Sequence, residues 1–353
     1  MKQLRCAFVL VALACSFGLA GQQERQPSGY VSEASLRANL TYIASDELEG
    51  RASPSPGLEK AAQFIALQYK AAGLEQVNGS YFQEATDHRL NQEGMPVLKN
   101  VVGLLRGSDP VLADTYLLVT AHYDHVGTRP NSEAEDKIFN GANDDGSGTV
   151  AVIEIAKALG AAGAKPKRSI LFVCVFGEER GMQGSTYYGE HPLFPLSKTV
   201  GMLNIEMIGR TNKYSAEPAK RRERVIEDWS GKLGVTGFDY SDMGRRLVES
   251  CAKAGIEAVK DPDASGPFFM RSDNRAMAGF GIPAHTVSVG YEDPEYHQAN
   301  DHADTINYTN MVKVVRALVF ATLDLANDPN APKWAELPET QRYRDAHTKL
   351  HGG

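Results

Sequence analysis

Apolar positions along the 353-residue chain change their spacing several times, and each change marks an element. From Ser32, the spacing Ala34, Leu36, Leu40 and Ile43 predicts an amphipathic helix with Ser32 as its cap. The segment SDELEGRASPSPG breaks that pattern, and a second helix is expected from Leu58 to about Ala72, closed by Gly73. Short apolar runs rich in β-branched residues predict buried strands at Val97 to Leu105, Tyr116 to Thr120, Ser169 to Phe176, Val200 to Ile208 and Ala284 to Val289. Helices are predicted from Thr149 to Leu159, Asp242 to Ala254 and Thr309 to Leu325. Strands alternating with helices imply an α/β fold, a mixed, mostly parallel twisted sheet sandwiched between helices. The stretch 211–240 is polar and reads as irregular, and 261–268 is a loop rich in Gly and Pro. With no repeat and no linker, one domain is expected over 31–328, preceded by a flexible leader at 21–30 and followed by a polar tail at 329–353.

The first twenty residues stand outside this pattern. Lys2 and Arg5 precede the apolar run Cys6 to Ala20, and Gly18 and Ala20 supply small residues before a cut, so 1–20 is expected to be a signal peptide that exports the chain to the periplasm or the outside. The run is too short for a membrane span, and no span is expected in the mature chain. A lipid anchor through Cys15 is the alternative, with a poorer match in Ala12-Leu13-Ala14. Cleavage leaves Cys174 and Cys251, too few for a disulfide scaffold. The formal charge of −7 provides no basic face, which excludes nucleic acid as the expected partner.

Candidate chemistry sits at the ends of the apolar runs. Tyr116 to Thr120 leads into His122-Tyr123-Asp124, and Asn143-Asp144-Asp145-Gly146 precedes the helix at Thr149. Adjacent carboxylates repel unless a cation or several donors neutralise them. Glu178-Glu179 follow the strand ILFVCVF, Glu206 lies in MLNIEMIG, and His297 follows AHTVSVG in YHQANDHADT. In open α/β sheets ligands bind beyond the carboxyl ends of the strands, where all of these fall. His122, Asp144, Glu179, Glu206 and His297 are enough to hold two divalent metals, and imidazole with carboxylate favours zinc. Glu178, beside a ligating Glu179, is left as a general base toward a water whose acidity the metal raises.

The motifs AHYDHVG, GANDDGSGT, GEERGMQGS, NIEMIGR and SDN...GIPAHT...YHQANDHADT resemble the secreted di-zinc aminopeptidases of metallopeptidase family twenty-eight, relatives of bacterial leucyl aminopeptidases and of glutamate carboxypeptidase. The resemblance runs from ASDELEGR to the last long helix. It implies one zinc held by His122 and Glu206, a second held by Glu179 and His297, and Asp144 bridging the two. It also implies Glu178 as general base, Asp124 as the acid that orients His122, and a cis peptide between Asp144 and Asp145. The family more often has Asp where Glu206 stands, so this ligand reaches one methylene further.

The activity implied is hydrolysis of N-terminal residues from peptide substrates. Phe268, Phe269, Met270, Phe280 and Tyr291 are candidates for a side-chain pocket, with simple packing as the competing explanation. A carboxypeptidase of the same fold would need a cation for the terminal carboxylate, for which Arg210, Arg271 and Arg275 are available. A glutaminyl cyclase would use one zinc, and a receptor-like binding protein would be expected to lack ligands or base; the full set here speaks against both.

Overall fold

The computed structural model describes residues 26–131, 135–215, 217, 220, 222–260, 268–291 and 293–352. The expected signal peptide at 1–20, the leader up to 25 and the loop at 261–267 lie outside the described residues. Eight strands form one sheet: β1 (Phe82–Glu84), β2 (Lys99–Leu105), β3 (Tyr116–His122), β4 (Ser169–Val175), β5 (Thr199–Ile205), β6 (Lys232–Val235), β7 (Glu257–Lys260) and β8 (Ala284–Ser288). Their order across the sheet is β1-β2-β4-β3-β5-β8-β6-β7. The central four, β4, β3, β5 and β8, are mutually parallel, while β1–β2, β2–β4 and β6–β8 pair antiparallel. Four carboxyl ends therefore open onto one edge.

The helices are α1 (Glu33–Ile43), α2 (Pro56–Ala71), α3 (Gly148–Ala161), α4 (Gln183–Glu190), α5 (Met243–Ala252), α6 (Asn274–Gly279), α7 (Tyr308–Asn327) and α8 (Gln341–Leu350). Ser32 and Ser55 cap α1 and α2 by accepting from Ser35 N and Leu58 N. Alternation along β3 divides the core in two. Leu117, Val119 and Ala121 pack with α1, α2, α3 and α7, whereas Tyr116 and Leu118 face the side covered by α4, α6 and α8. No described helix is long and apolar enough to cross a membrane.

Three expectations are corrected. The polar stretch 211–240 contains a hairpin (Asn212–Tyr214 with Ile226–Asp228) and β6, which joins the main sheet through Gly234↔Ser288 and Val235↔Val287. The segment at 329–353 is not only a polar tail: Trp334 and Tyr343 are buried in the second core, and Trp334 donates from Nε1 to the Gly281 carbonyl. Its two aromatics are too sparse for the pattern to register, yet they close the face that α4 and α6 leave uncovered. Pro27–Tyr30, placed in the leader, forms a 3-10 turn with Ser28 buried. The helix α4 escapes the sequence pattern because QGSTYYGE is poor in helix formers. Its glycines serve close approach: a Cβ at Gly184 would meet the Phe176 backbone, and one at Gly189 would meet the Phe280 ring.

Candidate metal centre

The parallel register brings the predicted residues to one place. His122 ends β3, Glu178 and Glu179 form a 3-10 turn just past β4, Glu206 follows β5, and His297 lies nine residues beyond β8. Asp144 enters from the distorted turn Ala142–Ser147 that leads into α3. Its two carboxylate oxygens face different neighbours. Oδ1 is 3.3 Å from His122 Nε2, whose other neighbour is Glu206 Oε1 at 3.8 Å. Oδ2 is 3.0 Å from His297 Nε2, which is also 2.9 Å from Glu179 Oε1.

Asp124 stands behind His122, with Oδ1 3.5 Å from Nδ1 and the backbone carbonyl 3.2 Å from the same nitrogen. The same Oδ1 accepts the Glu178 amide at 3.1 Å, so one carboxylate sets both the imidazole and the start of the Glu178-Glu179 turn. Asp145 acts on the backbone instead, accepting from the amides of His122, Gly148 and Met207 and so tying β3, α3 and the end of β5 together. The Asp144–Asp145 peptide is cis.

Electrostatics in the site are those of carboxylates drawn together. Burial alone would raise Asp144, but contact with His122 and His297 holds it well below the usual carboxylate range. Burial would lower His297, yet Asp144 and Glu179 push it up to about 9. Burial pushes Glu178 well above the usual carboxylate range; His122 opposes this, and the nearby acids Glu206, Asp273 and Glu179 add to it. Protons on the imidazoles thus face these acids directly, and a divalent ion could take their place. His122 Nε2, Asp144 Oδ2 and Glu206 Oε2 are buried without a hydrogen-bond partner among the described residues. An all-nitrogen-and-oxygen donor set with orphaned inward atoms fits zinc.

Sequence reasoning missed several residues of the centre. Arg51 is fully buried, and its guanidinium donates to the carbonyls of Ile43, Tyr123, Asn140 and Gly141, holding both approaches to the site. Burial lowers it to about 10 against the pull of Asp124, Asp301, Asp144 and Asp145. Asp301 accepts the amides of Asn143 and Asp144 and pairs with Arg210 at 2.8 Å. Arg210, a candidate receptor for a terminal carboxylate, is buried and engaged by Asp301, Asp293 and Thr305. Arg271 and Arg275 are exposed. Tyr296 stacks on His297 with ring centroids 4.0 Å apart. His125 is buried and points into the same centre. The only sequence signal for it was its place in AHYDHVG.

Of the five pocket candidates, Phe269 is core, packed on Tyr240, His285 and Tyr343. Met270 lies against Arg342 and Tyr343, and Phe280 against Gly189. Phe268 and Tyr291 form a separate aromatic pair at 5.5 Å.

Known proteins resemble this chain in sequence and in fold. A "Probable zinc metalloprotease" of Pyricularia oryzae is 25% identical over 85% of this chain and 66% of its own length. A "probable leucine aminopeptidase 2" of Aspergillus oryzae is 28% identical over 65% of this chain and 45% of its own. The chain thus spans two thirds or less of these curated relatives. Among solved structures, LapB from Legionella pneumophila superposes with a TM-score of 0.65 at 19% identity, covering 87% of this chain and 76% of its own, a likeness of fold. The motifs gathered at the strand ends lie within residues 100–322, which match Peptidase family M28, and the chain belongs to that zinc-peptidase family.

Proposed function

We propose that the chain is an exopeptidase that removes N-terminal residues from peptides and works with two zinc ions. The observation that carries this reading is the split of Asp144, one oxygen toward His122 and Glu206, the other toward Glu179 and His297. His122, Asp144 and Glu206 would hold one ion; Asp144, Glu179 and His297 would hold the other. Zinc bound there supplies Lewis acidity that polarises a scissile carbonyl and acidifies water.

The chain's own residues supply the rest. Glu178 is the proton acceptor and returns the proton to the leaving amine; its amide is fixed by Asp124 and its carboxylate is made more basic by burial and the neighbouring acids. Asp124 keeps His122 oriented. The concentration of carboxylates favours a substrate that presents a positive α-amine. A carboxypeptidase reading is weakened because Arg210 is buried and already engaged by Asp301 and Asp293. Phe268 and Tyr291 remain as candidates for contact with the substrate side chain. We extend the proposal to export with cleavage after Ala20, which N-terminal sequencing of the mature protein would read as a chain beginning at Gly21.

The deciding experiment is hydrolysis of a panel of free-amine, N-blocked and C-blocked peptides, before and after chelation and after zinc is restored. Turnover is expected only with a free amine and only with zinc. Cleavage of N-blocked peptides from their C-terminus would reverse the polarity assigned here.

A further inference from the structure

We propose that His125 is a fourth protein ligand to the ion held by Asp144, Glu179 and His297. The assignment rests on the two-ion reading and goes beyond the ligand set that the family resemblance implies, in which His122 and Asp124 of this motif have roles and His125 has none.

His125 is 1% exposed, and neither of its ring nitrogens has a hydrogen-bond partner among the described residues. A buried polar pair left this way needs an explanation. Nδ1 supplies one, since it lies 3.1 Å from Glu179 Oε1 and 3.7 Å from Asp144 Oδ2. The same two oxygens are 2.9 and 3.0 Å from His297 Nε2. A tetrahedral ion with bonds of roughly 2.0–2.2 Å separates its ligand atoms by roughly 3.3–3.6 Å. Four separations between 2.9 and 3.7 Å bracket that range, and one ligand atom from each of the four residues lies within 4.8 Å of every other. The two imidazoles meet edge-on, centroids 5.5 Å apart at 76°, so both can aim a nitrogen at one ion without overlapping.

The ring's position is built into the fold. The His125 amide donates to the Arg51 carbonyl, so the residue whose guanidinium pins the surrounding loops also holds this backbone. The ring lies against Gly141, where the backbone has φ +58° and an added Cβ would come within 2.4 Å of the imidazole. Any side chain there would push the ring from the centre.

With His125 counted, the second ion has two imidazoles and two carboxylates, while the first has His122, Asp144 and Glu206. Four protein donors close a zinc site, whereas three leave a position open, as catalytic sites do. His125 therefore makes the second ion the more tightly kept and leaves the open position with the first.

The test uses the full mature chain loaded with zinc chloride. A crystal structure with anomalous maps at the zinc edge should place His125 Nδ1 roughly 2.0–2.1 Å from the ion shared with Glu179 and His297. In parallel, wild type and His125→Ala are dialysed against a graded chelator, with zinc counted by mass spectrometry and fold followed by circular dichroism. The variant should release one ion at least about 100-fold more readily than wild type and keep the other, a loss beyond what removal of a merely orienting neighbour causes. Two bound ions with His125 Nδ1 more than about 3 Å from both would overturn the assignment, as would unchanged zinc retention in the variant. Fewer than two ions in wild type would sink the two-ion reading itself. Should His125→Ala fail to fold, the wild-type structure decides alone.

Discussion

The two halves of the centre are built differently. His122 and Glu206 stand at the ends of adjacent parallel strands, where the register of β3 and β5 fixes their separation, and their side chains are 0% and 9% exposed. Glu179 and His297 stand on loops. Glu179 sits in a 3-10 turn between Gly177 and Gly181, both at positive φ, and His297 has φ +55° and a side chain 28% exposed. The first half inherits its precision from sheet hydrogen bonds; the second depends on side-chain contacts, the stack of Tyr296 on His297 above all. Such a centre can thus combine a rigid half with an adjustable one, provided that one residue spans both. Asp144 does so, and Asp301 and Asp145 hold it from either side.

The largest effect is expected at that shared residue. Asp144→Ala should strip both halves, leaving less than one zinc per chain and activity reduced by more than about 10⁴, the scale of losing the charge stabilisation and water activation that metals provide. Full retention of either ion would show that the halves are independent.

Glu178→Gln tests a group that belongs to neither half. It keeps size and removes the proton acceptor, so kcat should fall roughly 10²–10⁴ while KM and both zincs change little. Loss of zinc would reverse the roles of Glu178 and Glu179.

Asp124→Asn addresses the rigid half alone. The amide can still accept the Glu178 N–H but no longer offers a charged partner to His122, so affinity for the first ion should drop about 10–100-fold in chelator titrations. Equal loosening of both ions would mean that coupling through Asp144 outweighs local orientation.

The last test lies outside the centre, against the aromatic core of Phe269 and Trp334. His285 in β8 is fully buried, with Nδ1 hydrogen-bonded to the Thr236 carbonyl and Nε2 to Ser241, and burial lowers it to about 4. The unfolded chain binds this proton near pH 6.5 and the folded protein only near 4, so the unfolded state carries more protons between those values. Stability should be fully present above about pH 6.5 and fall on acidification toward 4, by at most about 3 kcal/mol from this residue. Thermal melts of wild type and His285→Gln across that window should converge as pH falls. Parallel curves would show that His285 titrates normally.

What the sequence determined by itself was wherever one local pattern had one structural meaning. Apolar runs long enough to cross a sheet gave five of the strands, and acids and histidines interrupting those runs marked the ligand-binding edge at His122, Glu179, Glu206 and His297. The tertiary structure decided what depends on partners distant in the chain. The short strand β6 joins the sheet only because β8 lies beside it, β7 in turn pairs with β6, and Trp334 and Tyr343 become core only because α4 and α6 leave that face open. Arg51 and His125 look like ordinary surface or loop residues in sequence. Their roles arise because loops far apart in the chain converge on them, and a periodicity that spans only a few turns of helix or one strand carries no record of that convergence.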